Sequence, residues 1–239
     1  MIPGPDLVYK CPKCGRKAVS KSIISGNTVG AVSYSDGKQI AKMLPDFPYI
    51  IKCGKCGAFY RLERKYRIGE EYGYGRDESK MKDCDYAGFL SIDEYIEAID
   101  LKVYVNKNEE IYLRRRLWWA FNDRYRRYGD ELNDGWYRNR GENRDIDRGA
   151  DKEIYESNCI RLIEILDKNK TDDKIMCAEL YRNIGNYAEC KNILETIQEE
   201  KYNWVKELLI RECERKNTKT IMLVRDGGED DVKIVLFRR

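Results

Sequence analysis

The sequence predicts an α+β chain: a small β-rich module, then an α-helical bundle, then a C-terminal β-hairpin. Three observations carry this. Residues 15–52 alternate short apolar runs with turn chemistry, whereas from residue 85 onward apolar residues recur at helical spacing. The end, KTIMLVRDGGEDDVKIVLFRR, reads as two apolar strands around a Gly-Gly turn. Charge divides in the same way. Residues 1–65 hold twelve Lys/Arg and four Asp/Glu, a net of +8, which leaves −5 for the remainder of a chain of net +3.

With 239 residues, 42% apolar and 36% charged, the chain can build one sizeable core or two smaller ones. No apolar run approaches the roughly 20 residues of a membrane helix. The opening MIPGPDLVYK lacks the basic start and apolar stretch of a secretory signal, so the expected compartment is the cytoplasm, where thiols stay reduced. There is no histidine, which excludes Ser-His-Asp and Cys-His catalysis and every mixed Cys/His metal site.

Nine cysteines, an odd number, argue against a disulfide framework. Four form two pairs, Cys11-Pro-Lys-Cys14-Gly and Cys53-Gly-Lys-Cys56-Gly. Two intervening residues let both sulfurs of a pair turn toward one point, and the following glycine lets the backbone fold beneath a metal with its N–H groups facing the thiolates. Cys11, Cys14, Cys53 and Cys56 are therefore the expected ligands of one structural Zn²⁺, although four thiolates also suit iron. Four sulfurs close the coordination shell and leave no position for water or substrate. Lys10, Lys13, Lys52 and Lys55 flank the thiolates and offset their charge. CPKCG and CGKCG resemble the knuckles of zinc-ribbon and rubredoxin-like domains. The 38 residues between them exceed the roughly 15–20 of compact sites and must bring their own ends together. Cys84, Cys159, Cys177, Cys190 and Cys213 read as small core hydrophobes.

Along the chain, Ser25-Gly26-Asn27-Thr28 and Ser35-Asp36-Gly37-Lys38 are turns, and AVSY between them alternates as a strand. The expected boundaries are a basic zinc-ribbon-like domain over residues 1–66, a linker over 67–84, a helical domain over 85–216 with a charged loop at 129–150, and the hairpin over 217–239. Ser91-Ile-Asp-Glu94 is a capping box opening a short helix, and a longer helix covers about 108–128. Tyr155, Cys159, Leu162, Ile163 and Leu166 form a core-facing stripe. Later helices present Cys177, Ala178, Tyr181 and Ile184, then Cys190, Ile193, Leu194 and Ile197, then Val205, Leu208, Leu209 and Cys213. AELYRNIGNYAECKNIL resembles the joint of a tetratricopeptide unit, with Ala178, Tyr181, Gly185, Tyr187 and Cys190 at motif positions; it covers one helical pair without the repeat a solenoid needs. Across most of its length, through SGNTVG, SDGK, MLPDFP, the two knuckles and WWAFNDR, the chain resembles a family of uncharacterised bacterial proteins, which implies no activity.

The helix RRRLWWAFNDRYRRY places Leu113, Leu117, Ala120, Phe121, Tyr125 and Tyr128 on one face, with Arg115, Arg116, Trp119, Arg126 and Arg127 opposite. That second face reads either as a nucleic-acid platform of phosphate-binding arginines and a base-stacking indole, or as internal packing with arginines paired to carboxylates. Arg124, inside the apolar face, calls for an acidic partner. Taken together, the sequence reads as a non-enzymatic, zinc-stabilised binding or scaffold protein whose helical module meets a protein partner. The alternative is a nucleic-acid (RNA) binding protein using the basic module and the Arg/Trp face. An enzyme drawing on Asp93, Glu94, Glu97, Glu109 and Glu110, and electron transfer at a rubredoxin-like iron, are lesser readings.

Overall fold

The computed structural model describes residues 1–71, 84–126 and 149–223. The chain divides into two compact units: Met1–Ala31 with Ala41–Val103, and Val32–Ile40 with Tyr104 onward. Strands and helices are both present, as an α+β class requires. Among the described residues no helix is long and apolar enough to cross a membrane.

In the first unit, β2 (Asp6–Lys10) pairs antiparallel with β3 (Lys17–Ser20), Lys10 opposite Lys17 and Leu7 opposite Ser20. On its other edge β2 takes β9 (Arg67–Glu71), and β3 takes β10 (Cys84–Tyr86) in parallel. Residues 67–71, expected as linker, are thus a strand. RIGEE has no apolar alternation, and it is held as an edge by backbone pairing while its side chains are at least part-exposed and largely charged, which guards a sheet edge against further strands. Residues 72–83 lie outside the described residues. β1 (Ile2–Pro3) pairs with β4 (Ile23–Ser25), and β7 (Ile50–Lys52) with β8 (Phe59–Arg61). The capping box forms as read: the Ser91 hydroxyl accepts from Glu94 N–H, and the Glu94 carboxylate accepts from Ser91 N–H, opening α1 (Ile92–Asp100). This helix belongs to the first unit, which runs on to Val103. The Glu97 carboxylate receives Lys52 Nζ at 2.5 Å, and the Arg61 guanidinium donates to the Val103 carbonyl at 2.7 Å.

The second unit holds α2 (Lys107–Asn122), α3 (Gly149–Ile165), α4 (Thr171–Asn183), α5 (Tyr187–Glu195) and α6 (Asn203–Glu214). Its core gathers Trp118, Cys159, Leu162, Met176, Cys177 and Leu180, continuing into Ile175, Cys190, Leu194, Val205 and Leu209. Complete burial of such side chains contributes about 1.5–3 kcal/mol each. The stripe on α3 is as expected. Four of the five scattered cysteines are core, whereas Cys84 is only half-buried on β10. α4 begins at Thr171 itself, after Lys170, and no side chain caps it. Gly185, at φ 80°, turns the chain from α4 toward α5, a conformation open to glycine at little cost.

The segment Val32–Ile40 carries β5 (Val32–Tyr34) and β6 (Gln39–Ile40), joined by the SDGK turn with Gly37 at φ 77°. Although it lies between the two cysteine pairs in sequence, it belongs to the helical unit. β11 (Met222–Leu223) pairs with β5, Met222 opposite Tyr34. The rest of the expected C-terminal hairpin, residues 224–239, lies outside the described residues, as does nearly all of the expected 129–150 loop.

The SDGK turn is held by α2. Asp36, 1% exposed, receives the Arg126 guanidinium through both carboxylate oxygens, Asn122 Nδ2 at 2.9 Å and its own turn's Lys38 N–H at 3.2 Å. Its backbone carbonyl accepts the Trp119 indole N–H at 2.9 Å. Asp123 pairs with Arg126 Nε at 2.6 Å and with Lys38 Nζ at 2.5 Å. Burial acts against the charge on Arg126; the Asp36 and Asp123 carboxylates outweigh it and hold the guanidinium pKa above its usual value. Beside this, Ser35 donates to Glu179 at 2.6 Å, and Glu179 binds Arg182, both of them fully buried. Removing one partner of such a buried pair strands the other. Asp36→Ala is therefore expected to cost about 3–5 kcal/mol in urea unfolding. Glu164→Ala, at an exposed pair with Arg161, is expected to change stability by less than about 0.5 kcal/mol. Equal effects from the two would contradict the role given to Asp36.

Candidate metal centre

Each cysteine pair sits at the turn of an antiparallel hairpin, the first between β2 and β3, the second between β7 and β8. The two turns have the same backbone bonding. Cys11 N–H donates to the Arg16 carbonyl at 2.8 Å, and Gly15 N–H to the Cys11 carbonyl at 3.0 Å. In the second turn Cys53 N–H donates to Ala58 and Gly57 N–H to Cys53, each at 2.9 Å. Gly15 and Gly57 adopt φ 76° and 70°, the left-handed region that the CxxCG spelling requires of its glycine.

The turns bring their sulfurs together. Cys11 Sγ lies 3.8 Å from Cys56 Sγ, Cys14 Sγ lies 3.5 Å from Cys53 Sγ, and all four fall within 4.8 Å of one another. A tetrahedron with Zn–S bonds of about 2.3 Å has S···S edges of about 3.8 Å, so the cluster has the size of a tetrathiolate metal site. All four cysteines are free thiols rather than disulfides. They stand against Ala18, Ile51 and Tyr60, so the site is part of the unit's small core. Burial pushes the Cys53 thiol up, but the N–H groups of Cys56 and Lys55 together with the Cys14 and Cys56 side chains outweigh it and bring its pKa down to about 7. The Tyr60 hydroxyl is pushed upward by burial and then by the neighbouring Cys11 and Cys53. Arg16 grips Asp85 on β10 through Nε at 3.3 Å and Nη2 at 3.0 Å; the Asp85 carboxylate stands 3.1 Å from where a Cβ on Gly54 would lie, so it braces the second knuckle. Asp85 was not singled out by sequence: one acid 69 residues from its arginine gives no local signal.

The Arg/Trp face expected on α2 is arranged differently. Trp119 is 9% exposed, its N–H bound to Asp36 and its ring covered by the Arg115 and Arg116 guanidiniums, each 5.1 Å from the ring centre. Arg126, 7% exposed, is taken up by Asp36 and Asp123. Arg127 lies outside the described residues. The physical reason is that α2 is buried on several sides: Trp118, Trp119, Ala120, Phe121 and Asn122 are all interior. The helix stops at Asn122, earlier than the sequence pattern suggested, so Tyr125 is 41% exposed rather than in the apolar stripe, and Tyr128 is outside the described residues. Arg124 finds an acidic partner in Asp151 at 3.0 Å.

No protein-family model, curated protein or solved structure matches the chain. The reading of the centre stands on its geometry. At Gly57 an added Cβ would meet only the tip of Lys52 at 3.9 Å, so the penalty for a side chain there is conformational, about 1–2 kcal/mol. Gly57→Ala is expected to weaken metal retention by about 5–30-fold, measured by competition with a chromophoric chelator. An unchanged midpoint would show that the left-handed turn does not support the site.

Proposed function

We propose that this chain is a non-enzymatic, zinc-stabilised binding or scaffold protein. The observation that carries this is the convergence of Cys11, Cys14, Cys53 and Cys56 within 4.8 Å. Four thiolates fill a tetrahedral Zn²⁺, so the ion holds the hairpins together and offers no position to a substrate. The donors fit zinc or iron equally. Zinc is preferred because a redox-inert ion suits a site whose work is to close a fold. Bound zinc supplies folding free energy, about 10–16 kcal/mol in small tetrathiolate and related peptides, to a unit with few large apolar side chains.

The helical unit supports the partner half of the reading. α4 and α5 form a short hairpin around Gly185, with Ala178 and Cys190 fully buried. A single pair of this kind is a protein-docking element in our reading, and the partner is another protein. The sequence contributes one further argument: without histidine the usual general base is lacking.

Protein expressed in metal-replete medium is expected to hold about one zinc per chain by mass spectrometry, and to be colourless. Cys11→Ser or Cys56→Ser is expected to lose the metal and to open the first unit to protease. Red protein with stoichiometric iron would transfer the site to electron transfer, and metal-free folded protein would remove it. For the partner, affinity purification of tagged protein under native conditions is expected to retain a stoichiometric protein. That protein should be lost when exposed positions on the α4–α5 hairpin, such as Glu189 and Asn192, are exchanged. Retention of nothing above background by metal-loaded protein would count against a scaffold.

A further inference from the structure

The knuckle end of the first unit carries a group of cations with no ion-pair partner among the described residues. Lys10 and Lys17 are register partners at the last rung of β2 and β3, so two like charges stand directly opposite each other, which costs stability in a strand pair. Lys13 lies between Cys11 and Cys14, and Lys55 holds the matching place between Cys53 and Cys56. All four are exposed. None is in an ion pair among the described residues, whereas Arg16, Lys21, Lys52, Lys65 and Arg67 of the same unit each engage a carboxylate. The contrast is sharpest between the two hairpins. Lys52, which occupies in the second the place of Lys10 in the first, binds Glu97 at 2.5 Å, while Lys10 folds over Gly15 without an acid. A zinc tetrathiolate carries −2 and offsets half of these four charges. The other half meets no carboxylate among the described residues.

We propose that this end of the unit binds the phosphodiester backbone of single-stranded nucleic acid, with Lys10, Lys13, Lys17 and Lys55 each meeting a phosphate. This rests on the metal-closed knuckles described above. Two features favour a phosphate backbone over an acidic protein. The exposed apolar residues Ile2 and Ile24 lie on β1 and β4, at the opposite end of β2 and β3 from the knuckles, and Ile68, on β9 beside Val8 and Tyr9, is one exposed aliphatic side chain rather than an apolar patch. The large exposed side chain on the strand beside Lys17 is instead a ring. Tyr86, 62% exposed, stands on β10 in register with Val19, two residues along from the Cys84–Lys17 rung, and it can stack on a base. These residues belong to the first unit, whereas the Arg/Trp face of α2 belongs to the second.

The test is fluorescence anisotropy of labelled oligouridine and oligodeoxythymidine 20-mers with the full chain, its zinc content measured in the same sample. Four phosphate contacts predict a slope of log affinity against log salt of about −2.8, an approximately 50-fold loss between 50 and 200 mM salt. Lys13→Gln with Lys55→Gln leaves the sulfurs in place and is expected to reduce the slope to about half. Tyr86→Ala is expected to weaken binding about five-fold or more with the slope unchanged. The RNA and DNA arms separate the two sources of the same backbone chemistry. Zinc-loaded protein that binds neither at 50 mM salt, binds them unaltered after the lysine exchange, or prefers polyglutamate or anionic vesicles of equal charge overturns the inference and leaves the metal reading standing. Protein without zinc overturns both.

Discussion

Four sulfurs can meet at one point only if the chain between Cys14 and Cys53 closes on itself, and this closure is the constraint the first unit is built around. Its apolar core is modest: Ala18, Ile51 and Tyr60 are the buried companions of the cysteines, with Val8, Val19 and Ile50 nearby in the strands. Closing a long loop costs little more than closing a short one, since the entropy grows only with the logarithm of length. Ordering the residues is the larger cost, and a small core does not supply it alone. Two hairpins with the same turn bonding, each ending in a left-handed glycine, deliver the thiols in matched geometry, at the spacing a single metal ion could bridge.

The second unit solves a different problem. Its centre is polar. Asp36, Asn122, Arg126, Glu179, Arg182 and Asn183 are all interior, and their side chains are bonded to one another, to Ser35 and to the backbone after α6. Apolar packing alone would hold five helices together, yet it is indifferent to small slips. A buried carboxylate that must meet one guanidinium, one amide and one turn N–H has a single acceptable position. In this way the short β5–β6 hairpin, with little apolar surface beyond Tyr34 and Ile40, is fixed against a helix.

Much of this was legible from local spelling. CPKCG and CGKCG gave the ligands because spacing and glycine together dictate where two sulfurs point. Ser91 and Glu94 gave a helix start because both hydrogen bonds of a capping box are made within three residues. SDGK and WWAFNDR were each visible as motifs, but not as each other's partners: Trp119, Asn122 and Arg126 reach Asp36 across 83 to 90 residues, and no local pattern encodes that distance. For the same reason Trp119 looked like a surface residue. A helical wheel assumes one buried face, and α2 has more than one. RIGEE was missed as a strand because an edge is made by the backbone of its neighbour, and its side chains were chosen for water.

The excursion at Val32–Ile40 has a topological consequence. The chain departs from the cysteine-bearing unit after Ala31 and rejoins it at Ala41, so a β-hairpin of the helical unit forms part of the sequence that links the two cysteine pairs, covalently tethered at both ends. The two units are consequently not consecutive stretches of the sequence. Residues 32–40 thus count toward the length of chain between the two cysteine pairs, while their pairing with β11 and the Asp36–Arg126 bond belong to the helical unit.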